Sequence, residues 1–135
     1  MGFPKIIISY LLTMVVFFGI DMVWLGFVAK EMYRKYLGAL LSDTVNWAAA
    51  ILFYLIFIVG IFIFVILPAV EKQSVGRALV LGAVFGFIAY ATYDLTNYAT
   101  LTGFPLIIVI IDLTWGAVLT AAVSVAGYYI VRFVG

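Results

Sequence analysis

The sequence contains no cysteine and no histidine. The first absence excludes disulfides and thiolate chemistry. The second excludes haem or zinc ligation through imidazole and any Ser-His or Cys-His nucleophile pair. Charge is scarce as well: 10% of the residues are charged, against roughly 25% in an ordinary soluble domain. The few basic residues are scattered along a chain of net charge +1, so no basic patch points to nucleic acid as a partner. Chemistry is left to carboxylates, hydroxyls, amides, aromatic rings or an oxygen-held hard metal ion. The residues name no cofactor and no metal-ligand set.

Apolar residues are abundant, at 68% of 135. Four hydrophobic windows, residues 6–28, 45–67, 78–101 and 106–131, are each long enough to cross a hydrocarbon core of about 30 Å at about 1.5 Å per residue. Backbone groups in lipid must be satisfied within their own segment, so all four are expected to be helices. The reading is an all-α polytopic membrane protein: one domain, residues 1–135, in an up-down bundle of four transmembrane helices. The N-terminal run "MGFPKIIISYLLTMVVFFGI" is too long for a signal-peptide core and no small-residue cleavage site follows it, so it is expected to be a retained first helix.

Between the first two windows, "KEMYRKYLGALLSD" places Met32, Tyr36, Leu37, Leu40 and Leu41 near one helical face. This predicts a short interfacial helix between helices 1 and 2. The second connection, "PAVEKQSVGR", offers Pro68 as a helix stop, and the third, "TGFP", reads as a tight turn. Lys5, Lys72, Arg77 and Arg132 fall on the side of both termini, and Lys30, Arg34 and Lys35 on the other. That bias predicts cytoplasmic termini.

Polarity within the windows is concentrated in Asp21, Asp94, Asn97 and Asp112. Asp21 and Asp94 lie near the ends of windows 1 and 3, and Asp112 near the start of window 4, so all three share one layer roughly 10 Å below the same surface. Neighbours three and four positions away add Trp24, Tyr90, Tyr98 and Trp115 to that layer. A carboxylate at membrane depth costs about 2.5–3.5 kcal/mol, and three like charges in a low dielectric cannot all stay ionised unaided. Protons, a metal cation or a cationic ligand must compensate. The bland alternative is interhelical hydrogen bonding, at about 1 kcal/mol per bond. The motifs "DMVW", "DLTN" and "DLTW" repeat a D-x-x-[WN] pattern; Asp21 and Asp94 suit an old helix-pair duplication. In helix 4, running the opposite way, the pattern is either coincidence or a shared local requirement.

The segments "DMVWLGFVAKEMYRKYLGALL", "YATYDLTNYATL" and "DLTWGAVLTA" resemble a family of small bacterial predicted membrane proteins known only as a domain of unknown function. The resemblance covers nearly the whole chain. It implies a four-helix, multi-pass protein of the bacterial inner membrane, with Asp21, Trp24, Gly26, Tyr93, Asp94, Asn97, Asp112, Trp115 and Gly116 in the family pattern, and it supplies no activity.

Three functions fit these residues. The first is binding or transport of a cation or small amphiphile, with Asp21, Trp24, Tyr90, Asp94, Asn97, Tyr98, Asp112 and Trp115 as the ligand-binding set, using charge attraction and cation–π contact. The second is a membrane-embedded enzyme acting on a lipid or prenyl chain; no basic residue lies inside the windows to clamp a phosphate. The third is a non-catalytic assembly partner, with uncharged helix 2 facing lipid or partner. Gly82 and Gly86, and Gly116, Thr120 and Ser124, form small-residue stripes suited to helix packing and to a homodimer contact.

Overall fold

A computed structural model describes residues 2–135. Four helices are long and apolar enough to cross a membrane: α1 (Phe3–Val28), α3 (Trp47–Glu71), α4 (Val75–Thr100) and α5 (Leu106–Val134). A fifth helix, α2 (Lys30–Leu37), is amphipathic and lies between α1 and α3 as expected of an interfacial segment. Among the described residues there is no strand.

Helix ends follow local chemistry more than hydropathy. Pro4 sits in the first turn of α1, where a missing N–H costs nothing. Asn46 caps α3 by accepting from the Ala49 amide, and Ser74 caps α4 by accepting from the Arg77 amide. The sequence suggested that Pro68 stops its helix, but α3 runs on to Glu71. The turn immediately before it, Phe62–Ile66, is π-helical. That widened turn already departs from the regular bonding ladder, so a residue without an amide proton is accommodated there. The "TGFP" reversal turns at Gly103, whose φ of 78° lies in the left-handed region.

The apolar residues of α2 divide between protein and surroundings. Met32, Tyr33 and Leu37 rest on Phe104, Ile108 and Val109 at the start of α5, while Tyr36, Leu40 and Leu41 are exposed. The interfacial helix is therefore clamped onto the α4–α5 turn.

Helix α5 is the bundle's axis, with the largest buried share of the four spans. It packs along α4 and against α1. Helix α3 joins through its second half, where Ile58, Ile61, Phe62, Val65 and Ile66 meet Phe17, Leu119 and Val123 in the main core. Its first half is largely exposed from Trp47 to Phe53. Polar residues face inward: Ser9, Thr13, Asp21, Asp94, Asp112, Thr120 and Ser124 are buried, whereas Val15, Ile56, Phe64 and Ile88 face outward. With lipid tails as apolar as leucine, close packing of small residues replaces hydrophobic burial as the force between helices. Gly82 and Gly86 of α4 meet Gly116, Thr120 and Ser124 of α5 so closely that an added Cβ would strike backbone carbonyls. The small-residue stripes thus pack on each other within one chain.

Candidate functional site

Two D-x-x-W segments meet at the α2 end of the bundle. Asp21 and Trp24 lie at the end of α1, and Asp112 and Trp115 near the start of antiparallel α5. The two indoles stack with ring centres 4.2 Å apart and planes 7° from parallel. Each then reaches toward the other helix's acid. Trp115 Nε1 donates to Asp21 Oδ1 at 3.3 Å, and Trp24 Nε1 donates to the Tyr33 hydroxyl at 3.1 Å. Tyr33 in turn donates to Asp112. Tyr54 of α3 donates to the second oxygen of Asp21 at 2.7 Å. The two motifs are thus used unequally: Trp115 donates directly to the acid of α1, whereas Trp24 is linked to the acid of α5 through Tyr33.

The last turn of α1, Trp24–Val28, is π-helical, a local insertion that re-aims side chains. Tyr33 lies outside the spanning segments. Burial, reinforced by the bonded Asp112 carboxylate, pushes its hydroxyl well above the ordinary phenol range, so it remains a proton donor.

Around the stack lies a cavity of about 390 Å³, lined by Asp21, Trp24, Tyr33, Tyr54, Tyr90, Tyr93, Asp112 and Trp115, with Leu25, Ala50, Phe53 and Ala89 completing its wall. Leu25, Phe53 and Tyr93 on its rim are also exposed at the outer surface of the bundle. Since Phe53 belongs to a spanning helix, this rim faces hydrocarbon and gives the cavity a lateral mouth. Gly116 makes room for Tyr90, whose ring occupies the space that a Cβ at position 116 would need. A second hollow of about 360 Å³ lies beyond Tyr33 and Asp112, lined also by Lys30 and Arg34 of α2. Asp112 borders both spaces.

Asp94 stands behind this wall, with 0% of its surface exposed. Neither of its oxygens receives a hydrogen bond from any donor among the described residues. The register of α4 on α5, with Gly86 against Gly116 and Thr120 and Tyr90 against Gly116, brings Asp94 beside Asp112 one turn further on. Two carboxyl groups side by side in a low dielectric call for a proton shared between them or a positive charge close by.

Of the residues expected at the site, Asp21, Trp24, Tyr90, Asp112 and Trp115 converge on the cavity, with Asp94 directly behind. Asn97 and Tyr98 do not line it, and Tyr98 is 47% exposed. They lie one turn beyond Asp94 toward the surface, while the cavity extends the other way, toward Tyr90. The ligand-binding set drawn from the sequence leaves out Tyr33 and Tyr54, and Tyr93 entered only through the family pattern. A usable signal existed: a carboxylate buried in lipid requires donors, and tyrosines at matching depth are the available ones. Among the described residues no group of three or more acidic side chains is placed to hold a metal ion.

The model of a family described as a predicted membrane protein (DUF2177) matches residues 6–129. No match is found among curated proteins or among solved structures.

Proposed function

We propose that this chain, which belongs to the predicted membrane protein family DUF2177, binds a small organic cation or cationic amphiphile in the cavity between α1, α3, α4 and α5, and moves it within or across the bilayer. The observation that carries this reading is the pairing of two carboxylates, Asp21 and Asp112, with the aromatic side chains of Trp24, Trp115, Tyr54 and Tyr90 around one cavity. Carboxylates supply the charge. Aromatic faces attract a weakly hydrated cation, at about 0.5–2 kcal/mol per contact. The lateral mouth admits an apolar tail, and a volume of about 390 Å³ suits a ligand of modest size. The reading places the protein in a bacterial inner membrane, with both termini cytoplasmic and the cavity near the opposite surface.

A membrane-embedded enzyme acting on a lipid or prenyl chain is the second reading. It is favoured by the Asp94–Asp112 pair, which could serve acid–base chemistry beside an apolar cavity. Lipid composition of membranes with and without the protein separates the two.

Binding is tested with benzyltrimethylammonium against its uncharged carbon analogue, neopentylbenzene, followed by tryptophan fluorescence in lipid nanodiscs. The cation is expected to bind at least about tenfold more tightly, which is about 1.4 kcal/mol, and Asp21→Asn is expected to erase that preference. Equal affinity for the two molecules would refute the cation site.

A further inference from the structure

We propose that the Asp94–Asp112 pair is a proton site coupled to the cavity, so that a bound cation and one proton exchange for each other. The proposal rests on the reading of the cavity as a cation site. Its geometric basis is an asymmetry among the three acids. Asp21 accepts from both Tyr54 and Trp115 and so is supported as an anion. Asp112 accepts from Tyr33. Asp94 is enclosed, accepts from no donor among the described residues, and lies beside Asp112 in the register of α4 on α5. A buried polar group left in that condition costs free energy that a shared proton removes: Asp94 then donates to Asp112, and every carboxylate oxygen facing the cavity belongs to a supported group.

The charged and titratable groups around the pair come from each packed element. Tyr33 faces it from α2, Asp21 from α1, and Tyr90 and Tyr93 from α4, with Tyr54 of α3 on Asp21. Lys30 and Arg34 stand across the outer hollow. None of these facing the inner cavity is a cation. With the proton in place the layer carries two negative charges, one on Asp21 and one on the pair. A ligand cation beside Asp112 supplies the positive charge that the proton had supplied. The O–H bond at Asp94 breaks, the proton passes by way of Asp112 to water in the outer hollow, and the pair is left doubly ionised against the ligand. Charge in the layer is the same before and after. Asp112 borders both spaces, so the ligand and the departing proton use different exits.

Linkage fixes the sign. If cation binding expels a proton, protons oppose cation binding by the same factor. Affinity is then expected to rise with pH, by at most tenfold per unit for one proton released.

The experiment uses the whole protein in nanodiscs in weakly buffered solution, with a pH indicator and benzyltrimethylammonium as probe. A quaternary ammonium has no proton of its own, so any proton released comes from the protein. The expected result is close to one proton per cation bound for the natural chain, and none for neopentylbenzene. Asp94→Asn places an amide donor where the protonated carboxyl stood. It is expected to bind the cation with the weaker, acid-limit affinity at every pH and to release no proton. Cation binding without proton release, or release unchanged in Asp94→Asn, overturns the exchange while leaving the cation site standing. Absence of cation binding overturns both. Should Asp94→Asn fail to fold, the proton count of the natural chain against the neutral analogue decides by itself.

Discussion

The two ends of the bundle bury polar groups in opposite ways. At the end containing Gly82, Ser124 and Gly127, backbones touch: hydroxyls of Ser9, Thr120 and Ser124 are buried without partners, and glycines of one helix lie against side chains of the next. At the α2 end the helices enclose a cavity, the first half of α3 is largely exposed, and polar groups are linked from helix to helix through Trp24, Tyr33, Tyr54 and Trp115. One end is held by shape and the other by a hydrogen-bonded network around a space. The contrast separates a packing role for small polar residues from a site-building role for acids, and it can be broken at each end in turn.

The largest effect is expected from Gly86→Val in the packed end. A Cβ there meets the Gly116 carbonyl and the Thr120 side chain, and a backbone atom cannot step aside as a flexible side chain could. The loss is expected to reach about 3 kcal/mol or more, read as a shift in unfolding by denaturing detergent. Gly19→Ala is the matched control, because a Cβ at Gly19 meets nothing within 4 Å. It is expected to be neutral or to stabilise the helix by about 0.5–1 kcal/mol. Equal effects at the two positions would show that the close approach of α4 and α5 is not what holds this end together.

The spans were legible in the sequence because a hydrophobic run of sufficient length has one solution in lipid, and the acidic layer because depth along a helix is simple counting. The cavity's chemistry was less legible. That Trp115 reaches Asp21 depends on α1 and α5 being neighbours, which no local pattern states. Tyr33 is polar at its tip and apolar in its body, so it satisfies an interfacial position and a buried donor position equally well until the docking of α2 is known. Asn97 and Tyr98 were assigned by taking both directions along the helix from Asp94, when the cavity lies on one side only. Pro68 was read by its usual effect, and the widened turn before it changes that effect.

Removing one link from the networked end is expected to have a middling effect. Tyr33→Phe leaves Trp24 Nε1 without its acceptor and Asp112 without its tyrosine donor. The ring still packs on Phe104 and Ile108, so the cost is that of unpaired polar groups, about 1–2 kcal/mol. The same unfolding assay reads it, and hydrogen exchange along α2 should quicken as its attachment weakens. A variant as stable as the natural chain, with unchanged exchange in α2, would mean that the helix is held by its apolar face alone.

The smallest effect is expected from Ser124→Ala. Its hydroxyl is buried and unpartnered, and what the packed end uses is the residue's size against Gly82. Deleting one oxygen leaves a methyl that still fills most of the contact and removes a polar atom that had no bond to lose, so the change should stay within about 0.5 kcal/mol in either direction. Ser124→Val keeps the position apolar but adds bulk against Gly82, and should cost about 1–3 kcal/mol. That pair of variants separates size from polarity at one site. If alanine costs more than valine, the hydroxyl is making a bond across the helices, and the division between an end held by shape and an end held by hydrogen bonds fails at the residue where it is most exposed to test.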